Sequence, residues 1–168
     1  MAQRSRAGRT RPGPGPGGEI TARIFAVCDY AALTLDSKLY ISGANIGGML
    51  FREMPGPIGQ AFIAVLLAVP WTLTSETHLM RIRLLNSDRQ PIGPDPLVEA
   101  QAEVGRPPGT RPGQEFGLPF AFALTGIQIP QAMTGYFHLE VNGNTLAIHQ
   151  FQFGLAPPGM LPSPTPGA

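Results

Sequence analysis

Between Ile20 and Leu155, apolar residues alternate with polar ones at a period of two, interrupted by Gly, Pro and Asn. That period belongs to β-strands, whose successive side chains point to opposite faces. The clearest stretch is TGYFHLEVNGNTLAIHQFQF. Phe137, Leu139 and Val141 alternate with Tyr136, His138 and Glu140; after Asn142-Gly143, Leu146 and Ile148 resume the apolar face. A tight two-residue hairpin of type I′ needs φ > 0 at both central positions, which Asn-Gly tolerates. Further on, the apolar parity switches to Phe151 and Phe153, so a β-bulge is expected near His149-Gln150.

Six more strands are expected: ITARIFAVC (20–28), KLYISGA (38–44), QAFIAVLLAVP (60–70), THLMRIRLL (77–85), LVEAQAEV (97–104) and FGLPFAFAL (116–124). The third is apolar on both faces, as a central strand covered on both sides, or one lying across a dimer contact, would be. In the fourth, Met80, Ile82 and Leu84 turn inward while Arg81 and Arg83 reach water. In the fifth, Val98, Ala100, Ala102 and Val104 turn inward and Glu99, Gln101 and Glu103 outward. Pro119 cannot donate to a ladder, so the sixth is expected at an edge or bulged. Helical periodicity fails beyond ten residues; one short helical turn is expected at Pro70-Trp71-Thr72 or Gln131-Ala132-Met133. Short strands separated by turn residues predict an all-β fold: a single antiparallel two-sheet β-sandwich, jelly-roll or immunoglobulin-like, with seven to eight strands.

Composition sets the limits of that domain. Residues 1–18 hold four Arg and no Leu, Ile, Val or aromatic residue; residues 156–168 hold five Pro and no charge. Neither can bury enough apolar surface to offset the entropy of ordering, so both are expected as disordered tails around a domain at 19–155. Those 137 residues carry eight Lys or Arg against eleven Asp or Glu, a net of −3. With no basic stripe, no specific nucleic-acid partner is expected. Cys28 is the single cysteine, no apolar run is long enough to span a membrane, and no signal-peptide pattern opens the chain. A cytoplasmic location is the expectation.

In IFAVCDYAALTLDSKLYISGANIGGMLF, Cys28-Asp29 closes an apolar strand, and Ser37-Lys38-Leu39 and Gly43 come after it. MRIRLLNSDRQPIG sets alternating arginines before a polar turn, and GYFHLEVNGNTLAIHQFQF ends the pattern in a hairpin. On these residues, over roughly 20–153, the chain resembles a family of small bacterial proteins known only as a domain of unknown function. The resemblance implies a β-sandwich of about 110–140 residues. It implies no activity, so no functional residue is carried over. The segment 45–59 and both tails lie outside it.

The candidate chemistry is sparse. A catalytic Cys28 would need a His or a helix N-terminus to lower its pKa, and the adjacent Asp29 raises it, so a buried structural thiol is expected. Glu99 and Glu103 stand about 13 Å apart on one strand, too far for a glycosidase pair. His138 with His149, and the loop residues Asn86, Asp88 and Asp95, lack metal-site spacing. No cofactor and no enzyme activity are expected. What remains is an apolar Gly/Pro-rich insert with Met49, Leu50, Phe51 and Met54, read as a contact surface for a partner or as a lid on the core, and the rings of Tyr40, Trp71 and Tyr136 as stacking platforms. The leading expectation is a non-enzymatic protein-interaction or structural module, engaging a protein partner or a second copy. The alternative is a small-molecule or carbohydrate-binding β-sandwich.

Overall fold

A computed structural model describes residues 18–160. They form eleven strands and one 3-10 turn, Trp71–Leu73. In chain order the strands are β1 (Thr21–Leu33), β2 (Leu39–Ala44), β3 (Gly48–Phe51), β4 (Gly56–Pro57), β5 (Ala61–Pro70), β6 (Thr77–Leu85), β7 (Val98–Glu103), β8 (Glu115–Leu124), β9 (Gln128–Ile129), β10 (Met133–Val141) and β11 (Asn144–Leu155). They build a four-stranded sheet in the order β2-β1-β5-β8, a five-stranded sheet in the order β3-β11-β10-β6-β7, and a small β4-β9 pair. Every pairing is antiparallel except that of β3 with β11.

The expectation of seven to eight strands in two sheets is therefore corrected to eleven in three. The added strands β3, β4 and β9 have four, two and two residues. Runs that short, rich in Gly and Pro, carry no readable period; they pair because a partner strand is already in place. The disordered tails expected at 1–18 and 156–168 fall, apart from Gly18 and 156–160, outside the described residues.

One apolar core joins the two large sheets. Val27, Ile63, Val65 and Leu67 enter it from the four-stranded sheet, and Ile82, Leu84, Phe137, Leu139, Phe151 and Phe153 from the five-stranded one. Phe137 and Phe151 meet edge to face at 5.7 Å. Burying each such side chain contributes about 1.5–3 kcal/mol. β5 is the central strand its two apolar faces predicted, and β8, which carries Pro119, is an edge strand.

The hairpin forms as its sequence dictates: Asn142 and Gly143 adopt φ of 51° and 82°. The bulge lies elsewhere than expected. Pairing steps from Leu139↔Ala147 to Glu140↔Thr145, which skips Leu146 beside the turn, not His149-Gln150. The extra residue there brings His149, Phe151 and Phe153 into phase with the core, because His149 faces Phe137 across the ladder. Ile148 is turned outward as a result and is 56% exposed.

Candidate interaction surface

β1 outlasts its pairing with β5. That ladder ends at Cys28↔Phe62, while β1 runs on with β2 to Leu33↔Leu39. The continuation is a hairpin arm, closed at its tip by Thr34 N–H donating to Lys38 O and Ser37 N–H donating to Thr34 O, both at 3.0 Å. At its root, Gly43 takes φ +63°. A Cβ there would lie 1.9 Å from Asp29 Oδ2, so Asp29 occupies the room a side chain would need. The backbone bends at this pair.

The bend folds the arm back over the outer face of its own sheet. Ala31, Leu39 and Ile41 of the arm pack with Cys28, Phe62, Ala64 and Ala121, which belong to the sheet's outer side. Ser37 at the tip and Phe116–Pro119 of β8 line one open groove. This cover is why Cys28 and Ala64, on the face away from the main core, are fully buried. The Cys28 thiol donates toward Phe62 O at 3.6 Å. Burial pushes its pKa up and the Asp29 charge adds to the rise, leaving a protonated, poorly nucleophilic thiol at neutral pH.

The arm's other side is open toward its tip, while at its root the Tyr30 ring meets Phe62 of the sheet edge to face at 5.2 Å. Tyr30 stands opposite Ser42 and Ala32 opposite Tyr40, so these four share one face. Tyr30 is 51% and Tyr40 56% exposed, and Leu35 at the tip is entirely exposed; Leu33, 45% exposed near the tip, pairs with Leu39 on the arm's opposite side. Four of the eight large exposed apolar side chains among the described residues thus sit on this single arm. Its tip charges cancel: Lys38 meets Asp36 at 2.6 Å. Hydrogen bonds from Lys38 and then Thr34 hold the Asp36 carboxyl below its ordinary range.

The outer face of the five-stranded sheet is the opposite in character. Arg81 bonds Glu99 at 2.6 Å, and Arg83 grips Asp95 with two bonds of 2.7 Å and reaches Glu140 at 3.6 Å. The Arg83 pair holds the Asp95 carboxyl below the ordinary carboxylate range. Such pairs each contribute about 0–1 kcal/mol and keep the face hydrated.

The residues singled out in the sequence do not converge. Tyr40 lies on the arm, Tyr136 on the charged sheet face opposite Leu85 and Gln150, and Trp71 in the 3-10 turn, where the Arg106 guanidinium covers its ring at 4.0 Å. In the insert, Phe51 is buried against Phe153, Met49 and Met54 are partly buried on the core, and Leu50 is 44% exposed. His138 and His149 point to opposite faces, because His138 pairs with Ile148 and Phe137 with His149. Among the described residues no three His, Cys, Asp or Glu side chains could hold a metal ion. Asn86 Oδ1 accepts from the Asp88 and Gln90 amides at 2.9 and 2.8 Å, an Asx turn.

Sequence reasoning missed Tyr30, Leu33 and Leu35. It ended the first strand at Cys28 and read Asp29 as closing it, whereas the strand runs on to Leu33. The available signal was Leu35, an apolar residue placed in a turn beside Asp36-Ser37. Among the described residues, no helix is long and apolar enough to cross a membrane. A comparison with curated proteins finds no match. The model of a family of unknown function, DUF6941, matches residues 23–153, from the first strand to the last. The chain belongs to that family.

Proposed function

We propose that this chain is a non-enzymatic protein-interaction module whose contact face is the outward side of the β1–β2 arm, and that its partner is a second copy of the chain. The observation that carries the reading is the concentration of the exposed side chains Tyr30, Leu35 and Tyr40 on one arm whose tip charges, Lys38 and Asp36, pair with each other. Tyrosine and apolar side chains are favoured at interface centres and charge is depleted there. A face whose tip charges already pair with each other can meet its own copy across a two-fold axis with little opposition of like charges. The three side chains offer on the order of 400 Å². A standard interface takes about 800 Å² per partner, which Ala32, Ser42 and the arm backbone bring within reach. Leu50, the open residue of the insert, stands outside this face and is the secondary contact in the reading.

In this proposal the two large sheets are the layers of an immunoglobulin-like sandwich. Supporting this, β1, β5 and β8 take the order of immunoglobulin strands A, B and E, and β6, β10 and β11 supply C, F and G facing them through one core. A cytoplasmic setting belongs to the same proposal, supported by the single free, buried cysteine. Sedimentation equilibrium of the full chain over a wide concentration range tests the partner. A monomer–dimer equilibrium is expected; a monomer at every concentration contradicts it.

A further inference from the structure

Among the described residues, Arg23, Lys38, Arg81 and Arg83 each meet a carboxylate, while Arg52, Arg89, Arg106 and Arg111 meet none; of these last four only Arg106 has its guanidinium held by hydrogen bonds. It is fixed instead by neutral groups: Nε donates to Thr74 Oγ1 at 2.8 Å, and Nη2 lies 3.4 Å from Trp71 O and 3.5 Å from Thr74 O. Thr74 is itself 2% exposed and donates to Trp71 O at 2.7 Å, so the anchor is rigid. The guanidinium carbon lies over the Trp71 ring, 4.0 Å from its centroid. Trp71 Nε1 is buried without an acceptor, so the stack with Arg106, not a bond of its own, fixes the indole. Nη1 donates to no protein group among the described residues. A cation oriented this way, with its charge uncompensated, has already lost the side-chain freedom that binding an anion would otherwise cost.

Arg106 also lines an open groove of about 570 Å³, a volume within the range of small-molecule sites. Phe116, Leu118 and Pro119 supply apolar lining, and Ser37 and Glu103 line it as well. We propose that this groove binds a small carboxylate with an apolar body, the head on the free edge of Arg106 and the body along Phe116, Leu118 and Pro119. Charge selects the class: an unpaired, oriented guanidinium takes a carboxylate, and the apolar lining takes the hydrocarbon attached to that head. Glu103 opposes the head, which gives the proposal a prediction of opposite sign. The site stands on different residues from the arm's outward face, apart from Ser37 at the arm's tip.

Trp71 is the only tryptophan, and it reports on the site from beneath Arg106. The test titrates the full chain with octanoate and, separately, octanol at constant ionic strength, following Trp71 emission and the heat of binding. Octanoate is expected to bind saturably and octanol not to. Arg106→Gln is expected to weaken octanoate by about tenfold or more. Glu103→Gln is expected to tighten it, and decides the matter if Arg106→Gln does not fold. No saturable response to octanoate, equal binding of octanol, unchanged affinity in Arg106→Gln, or unchanged or weaker affinity in Glu103→Gln would each overturn the proposal.

Discussion

Asp29 stands where the side chain of residue 43 would be, and Gly43 leaves it that room at φ +63°. The two residues make the bend that turns a strand of one sheet into an arm across its own outer face. They are also two of the positions that carry the family resemblance, so the pattern Cys-Asp…Gly has a mechanical reading: a buried thiol before the bend, and a carboxylate and a missing side chain at it. Gly43→Ala is expected to destabilise the chain by about 1–3 kcal/mol, from strain in the left-handed region and the clash with Asp29. Adding Asp29→Ala should remove the clash and restore only part of the loss. Urea unfolding of the two variants beside wild type measures both parts.

Asn142 does more than close its hairpin. Its Oδ1 accepts from the Leu79 amide at 2.9 Å, and its Nδ2 donates to His78 Nδ1 at 3.1 Å. His78, 2% exposed, then donates from Nε2 to Leu73 O at 2.8 Å. Asn142→Gly keeps the turn but strands His78 Nδ1 and the Leu79 amide. The expected cost is about 1–3 kcal/mol, read as a lower urea midpoint. A loss no larger than that of an exposed surface change would show that the side chain serves the turn alone.

Much of this architecture was legible because alternation and turn chemistry agree. β5, β6, β7, β8 and the Asn-Gly hairpin arise from residues whose two faces differ or whose turn admits one geometry. The arm was not legible, because its direction depends on a bend between Asp29 and Gly43, fourteen positions apart, that no local period encodes. The bulge at Leu146 was misplaced for a similar reason: register is fixed by the core's demand for Phe151 and Phe153, satisfied several residues upstream. The Arg106 groove joins the tip of one hairpin to the loop after β7 and the start of β8, so only the tertiary fold assembles it.

His138 gives the five-stranded sheet a pH response. Burial lowers its pKa first, Glu140 opposes that, and Arg83 and Arg89 add to the lowering. The folded value therefore lies below the ordinary one near 6.5. Between the two values the unfolded chain binds more proton than the folded one, so stability falls as pH drops through that window and levels off below the folded value. His138→Gln should flatten the melting temperature between about pH 7.5 and about pH 5 relative to wild type. An identical slope in the variant would place the pH response elsewhere.

The most direct measurement is the dimerisation constant of three full-length proteins by sedimentation equilibrium: wild type, Leu35→Ser/Tyr40→Ser, and Leu50→Ser/Ile148→Ser. All four side chains are exposed, so each substitution should change folding stability by no more than about 0.5 kcal/mol. The arm variant should associate about tenfold or more weakly than wild type, and the Leu50/Ile148 variant should match wild type. A wild type that stays monomeric, or an arm variant that dimerises as wild type does, would contradict the arm as the contact face.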